Sequence, residues 1–173
     1  MSIELIKNCI RDIPDFPQKG ILFRDITPIL SNYKVFSEVI DIMEERYMNS
    51  SVTKIVAIES RGFLFGAVLA QRLGVGLVLV RKKGKLPFKT VEASYDLEYG
   101  SAAVEMHVDS LTANDSVVIV DDLLATGGTA AAAVELVNKF GSKILGLEFV
   151  IELKFLDGRK MLKNEKINSI VVY

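Results

Sequence analysis

Cysteine is almost missing from this chain of 173 residues: Cys9 stands alone, so no internal disulfide can form and a reducing compartment is expected. Histidine is as scarce. His107 is the sole one, and no ligand-spaced set of His, Cys and Asp marks a resident metal site. Neither sign of charge dominates. With 21 basic and 22 acidic residues the net charge is −1, which argues against a general role on nucleic acid or another polyanion. No apolar run approaches the roughly 20 residues of a membrane helix. The N-terminus, with Glu4, Lys7, Arg11 and Asp12 scattered through it, does not read as a signal peptide. No membrane partner and a cytoplasmic location are the expectations. Repeats, low-complexity tracts and linkers are missing too, so residues 1–173 are expected to form one domain.

What is present reads as alternating strands and helices. Lys54 to Glu59 is a short apolar run, a strand buried on both faces. Gly62 to Leu73 has helical character and stops at Gly74; Lys34 to Met48 carries apolar residues at helical spacing. Strands are predicted at Leu77 to Val80, Ala102 to Val108, Ser116 to Val120, Ile144 to Ile151 and Ile167 to Val172. A helix follows the Ser116 strand to about Phe140. The fold class expected is α/β, a mostly parallel central sheet flanked by helices. Ligands in such folds bind at the carboxyl ends of strands. Glu59-Ser60-Arg61, Arg81 and Asp121-Asp122 each sit at such an end. Lys83 to Gly100, polar and glycine-containing, reads as a long functional loop.

The most informative stretch is Val117 to Thr129, VVIVDDLLATGGT. An apolar strand runs into two adjacent carboxylates. Ala125, Thr126, Gly127, Gly128 and Thr129 then lead into an alanine-rich helix. Glycines let backbone N–H groups converge on an anion, the helix start adds unpaired N–H groups, and threonine hydroxyls add donors. This is a cup for a phosphate. Asp121 and Asp122 are wrong for a phosphate but suited to accept ribose hydroxyls. The spacing is neither that of a nucleoside-triphosphate loop nor Gly-x-Gly-x-x-Gly. A basic cluster, Arg81, Lys82, Lys83 and Lys85, becomes a candidate anion site beside such a cup.

This string resembles the phosphoribosyl-diphosphate signature of the type I phosphoribosyltransferases, in the DLLATGGT form of the adenine phosphoribosyltransferases. DIPDFPQKGILFRDITPIL from Asp12, ESRGFLFG from Glu59, VRKKGKLP from Val80 and SYDLEYG from Ser94 fit the same pattern in the same order. The resemblance implies transfer of phosphoribosyl from 5-phosphoribosyl-1-diphosphate (PRPP) to adenine, giving AMP and diphosphate through an oxocarbenium-like transition state. It also implies a type I phosphoribosyltransferase fold with a flexible hood loop, and a homodimer. Mg2+ would come on the substrate diphosphate. Residues 125–129 would anchor the 5′-phosphate, and Asp121 and Asp122 would clamp the ribose. Ser60, Arg61, Arg81 and Lys85 would bind diphosphate, with an unusual, cis-like backbone at Ser60-Arg61; Arg81 or its neighbours could serve a partner subunit's site instead. Adenine would meet main-chain groups of Leu22, the ring of Phe23 and, at its edge, Arg24. Glu98 would handle the purine proton near N7. Two other readings stay open: a transferase for a 6-oxopurine, and a non-catalytic regulator that senses PRPP.

Overall fold

The computed structural model of the chain describes residues 3–96 and 101–173. Its elements in order are α1 (Ile3–Cys9), β1 (Arg11–Pro14), β2 (Leu22–Asp25), α2 (Thr27–Ser31), α3 (Tyr33–Glu45), β3 (Lys54–Ile58), α4 (Gly62–Leu73) and β4 (Gly76–Lys82). They continue as β5 (Thr90–Asp96), β6 (Ser101–His107), β7 (Ser116–Leu124), α5 (Gly128–Lys139), β8 (Lys143–Glu152), two 3-10 turns at Lys154–Leu156 and Gly158–Leu162, and β9 (Ile167–Val172).

The centre is a seven-stranded sheet in the order β5-β6-β4-β3-β7-β8-β9. Strands β4, β3, β7, β8 and β9 run parallel, and β6 and β5 extend the edge antiparallel. The α/β expectation, mostly parallel and helix-flanked, therefore describes the fold. Strand periodicity explains how both faces are filled. Along β7, Val118 and Val120 face the core shared with α3 and α4, while Val117 and Ile119 face the core shared with α5. Ile55 and Val56 in β3 divide the same way. Every one of these side chains is sealed from water. Cys9 packs half-buried against the first core as a small apolar group.

The structure differs from the predicted elements in several places, among them the short helix α2. The stretch Lys83 to Gly100 is not one long loop, because Thr90–Asp96 pairs with β6 from Thr90↔His107 to Asp96↔Ser101. The motif strand runs past Val120 to Leu124, so Asp121 and Asp122 belong to the strand rather than to a turn after it. Arg11–Pro14 and Leu22–Asp25 form a separate two-stranded hairpin. Among the described residues no helix is long and apolar enough to cross a membrane.

Candidate active site

The carboxyl ends of β3, β4 and β7 open onto a cleft of about 750 Å³. Of the residues singled out in the sequence, Ser60, Arg61, Lys85, Asp121, Asp122, Ala125 and Thr129 line it. Thr126, Gly127 and Gly128 line an adjoining hollow of about 80 Å³, which shares Asp121, Ala125 and Thr129 with the cleft. Glu59, Lys82 and Tyr95 also stand on the cleft wall.

The phosphate cup is built from backbone. Gly127 has φ 89°, a left-handed conformation, and caps α5 with no side chain accepting from the first helical turn. Those N–H groups stay open to an anion, at the positive end of the helix dipole. A side chain at Gly127 is excluded twice. The backbone conformation disfavours one, and a Cβ would overlap the carbonyl oxygen of Gly158.

The two aspartates are set by close packing and by one cation. Gly62, the first residue of α4, lies so near β7 that a Cβ there would stand 2.7 Å from the Val120 carbonyl and 3.0 Å from Asp121 Cα. Arg61 is thereby held over the strand, and its Nε meets Asp122 Oδ2 at 2.8 Å. The Asp122 amide donates to Asp121 Oδ1 at 2.8 Å. Burial, and then the charge of Asp122, push the Asp121 carboxyl well above the usual carboxylate range. Burial also raises Asp122, against the pull of Arg61.

On the other side, Arg81 is already engaged. Glu59 accepts from Arg81 at 3.0 and 3.3 Å and from the Lys82 amide at 3.0 Å. The Arg81 hydrogen bond holds the Glu59 carboxyl below its ordinary range. Arg81 also donates to the Lys85 carbonyl and is not on the cleft wall; Lys82, next along β4, is. Buried Glu105 fixes the turn before β5 by accepting from the Lys85 and Leu86 amides, both at 2.9 Å. Burial works against that carboxylate, but these N–H bonds outweigh it and leave its pKa lowered. A cis peptide bond between non-proline residues falls at Glu59–Ser60, one bond before the predicted Ser60-Arg61.

Leu22, Phe23 and Arg24 lie in β2 and do not line the cleft. Phe23 is nonetheless its neighbour: the Arg61 guanidinium lies 5.5 Å from its ring centre, and Phe16 meets it edge-on at 5.1 Å. Arg24 pairs with Asp12 and stacks 3.7 Å over Tyr173. Alternation along a strand accounts for the divergence of these adjacent residues. Glu98 lies outside the described residues.

With this geometry in view, similarity to known proteins becomes informative. Residues 25–169 match the family model of the phosphoribosyl transferase domain. The adenine phosphoribosyltransferase of Carboxydothermus hydrogenoformans is 54% identical over 168 residues, covering 97% of this chain and 99% of that protein. The crystal structure of adenine phosphoribosyltransferase from Thermoanaerobacter pseudethanolicus superposes with a TM-score of 0.96 at 49% identity, covering 99% of this chain and 100% of the other. The Saccharomyces cerevisiae adenine phosphoribosyltransferase, solved with an imino-altritol bisphosphate and adenine, gives 0.92 at 44% identity, with 97% of each chain covered.

Proposed function

The chain belongs to the adenine phosphoribosyltransferases, and from that premise we propose how its cleft transfers phosphoribosyl from PRPP to adenine, yielding AMP and diphosphate. One observation supports the reading above the others. A glycine-built helix start, an adjacent pair of carboxylates and a set of cations share one wall system, with Asp121 common to cleft and hollow and Arg61 bound to Asp122.

In this reading residues 125–129 hold the 5′-phosphate. Asp121 and Asp122 accept the 2′ and 3′ hydroxyls, and their charge favours the positive character that builds on the sugar. Ser60, Arg61 and Lys85 receive the diphosphate through charge-assisted bonds, and Lys82 joins them from the wall. Arg81 acts on the same side through its link to Glu59 and the Lys85 carbonyl, or serves a partner subunit's cleft. The C1–O bond breaks with its electron pair going to diphosphate, and a purine nitrogen forms the new bond to C1.

Adenine stacks on Phe23 beside Arg61, pairs with the main chain at Leu22 and meets Arg24 at its edge. The yeast relative solved with adenine supports a base site in a fold of this kind. A main-chain carbonyl facing position 6 favours an amino group over an oxo group. Glu98 relays the proton that the purine gives up. Mg2+ carried on the diphosphate would supply charge neutralisation to the leaving group. Acidic groups here are offered as the Asp121–Asp122 pair, and among the described residues no three His, Cys, Asp or Glu side chains gather as a cation cage. The protein works as one domain over 1–173, as a cytoplasmic homodimer in purine salvage.

The test is an assay with PRPP, Mg2+ and one labelled base at a time. AMP from adenine, lost in Glu98→Ala and Asp122→Ala, is the expected result. Inosinate formed from hypoxanthine, with no AMP from adenine, would reject the base assignment.

A further inference from the structure

The phosphate cup is backed by a segment that touches neither cavity. Strands β7 and β8 run side by side to their ends, where Leu124 pairs with Glu152. The Leu153 amide then donates to the Leu124 carbonyl at 2.9 Å. From there the chain folds back through the two 3-10 turns. Asp157, with φ 55°, makes the reversal between them. Gly158 is thereby pressed onto the cup. A Cβ on it would overlap the Ala125 carbonyl oxygen and stand 3.0 Å from Leu124 Cδ1, just as one on Gly127 would overlap Gly158. Two backbone segments 31 positions apart interlock where only hydrogens fit.

A buried-carboxylate ion pair clamps this turn. Arg159 donates in two-pronged fashion to Glu152, 2.7 Å from Nε to Oε1 and 2.7 Å from Nη2 to Oε2. A third donor, Nη1, reaches the Ile167 carbonyl at 3.3 Å. Ser169 adds a 2.7 Å hydrogen bond to the same carboxylate, which is almost wholly buried. The Arg159 hydrogen bonds hold Glu152 below the ordinary carboxylate range. At the far end Leu162 is sunk into the core that α5 shares with the sheet.

We propose that Gly158 and the Glu152–Arg159 pair are positioning residues for the 5′-phosphate, bracing residues 125–127 from behind so that their N–H groups hold the geometry the anion needs. This rests on the reading of residues 125–129 as the 5′-phosphate site. The physical case is preorganisation. A site made of backbone donors has no flexible side chain to adapt, so its affinity depends on how rigidly the backbone is held. The helix start offers no side-chain cap to do this. The brace therefore acts on ligands that carry the phosphate and is indifferent to those that do not.

The test compares AMP with adenosine, which differ by that phosphate alone. Binding of both is measured by calorimetry for the parent and for Arg159→Met, Arg159→Lys, Gly158→Ala, Gly127→Ala and Thr129→Val. Arg159→Met is expected to weaken AMP about tenfold, with adenosine held within about twofold. Arg159→Lys keeps the charge without the fork and should recover part of the loss. The KM for PRPP should rise in parallel while the KM for adenine stays. AMP and adenosine weakening together, or neither changing, in Arg159→Met would overturn the brace. Should Gly158→Ala not fold, the two Arg159 variants decide, since that side chain is half-exposed. Thr129→Val and Gly127→Ala separate the two claims. If both spare AMP, the cup assignment falls and the brace with it; if either selectively weakens AMP while Arg159→Met is silent, only the brace falls.

Discussion

The proposed 5′-phosphate cup at 125–129 contains no charged side chain, whereas the diphosphate wall carries Arg61, Lys82 and Lys85, with Arg81 just behind it. The cup is backbone against backbone, locked by Gly127 and Gly158. On that side, both arginines are paired with the protein's own carboxylates, Arg61 with Asp122 and Arg81 with Glu59. The cup is thus finished before substrate arrives and is vulnerable to sterics. The wall, with its arginines so held, is vulnerable to changes of charge: an incoming diphosphate must compete with Asp122 for Arg61, and with Glu59 for Arg81 behind it.

The sharpest way to break this contrast is Gly127→Ala, a change of no charge at all. A left-handed backbone costs about 1–3 kcal/mol for a residue with a side chain, and the overlap with Gly158 adds to it. We expect kcat/KM for PRPP to fall at least about a hundredfold. A steady-state assay showing less than about a threefold loss would mean that the cup is not rigid.

Asp121→Asn probes the junction between the two sites, and its effects on activity and stability should have opposite signs. Because the folded protein raises the Asp121 pKa, ionising it works against folding. The penalty is absent below the unfolded value of about 3.9 and grows as pH rises toward the folded pKa. The asparagine variant should therefore be more stable than the parent by about 1 kcal/mol near neutral pH and no more stable near pH ~4. The Asp122 amide keeps its acceptor. Activity should drop by about tenfold or more as a ribose acceptor weakens. Denaturant melts at the two pH values check the first point, and a gain that persists in acid would contradict it.

Glu59→Gln tests the wall alone. The folded pKa of Glu59 is depressed, so its contribution is present above the unfolded value of about 4.3 and is lost as pH falls through the folded one. The pair with Arg81 is partly exposed, so the variant should lose at most about 1 kcal/mol near neutral pH, converging with the parent in acid. The KM for PRPP should change by only about two- to fivefold, and with a stronger salt dependence than in the parent. The smallest effect is expected from His107→Gln. His107 accepts from the Phe88 amide at 3.4 Å and lies off the cleft wall, so kcat/KM should stay within about twofold.

The parts of the fold that were legible in the sequence are those whose physics is local. β3, β7 and α4 announce themselves as an apolar run, an apolar run and a helix stopped by glycine. β5 is hard to read because an edge strand buries one face only: Val91, Ala93 and Tyr95 meet the core, while Glu92 and Ser94 between them read as loop. β1 and β2 have four residues each, too few for a periodic signal. In the site, the cup and the aspartates are contiguous and could be read directly. The basic cluster is legible as a whole, but that Lys82 rather than Arg81 meets the cleft depends on which face of β4 turns toward it. Gly158 gave no local sign, since its need for a bare backbone is imposed by residues 125 and 127, far away in the chain.

A crystal of the protein with AMP tests the central claim most directly. The account predicts the phosphorus atom seated over the start of α5, its oxygens within about 3 Å of backbone N–H groups of residues 126–129, and the ribose hydroxyls on Asp121 and Asp122. A phosphate bound instead among Arg81, Lys82 and Lys85, with the glycine cup left to water, would contradict it.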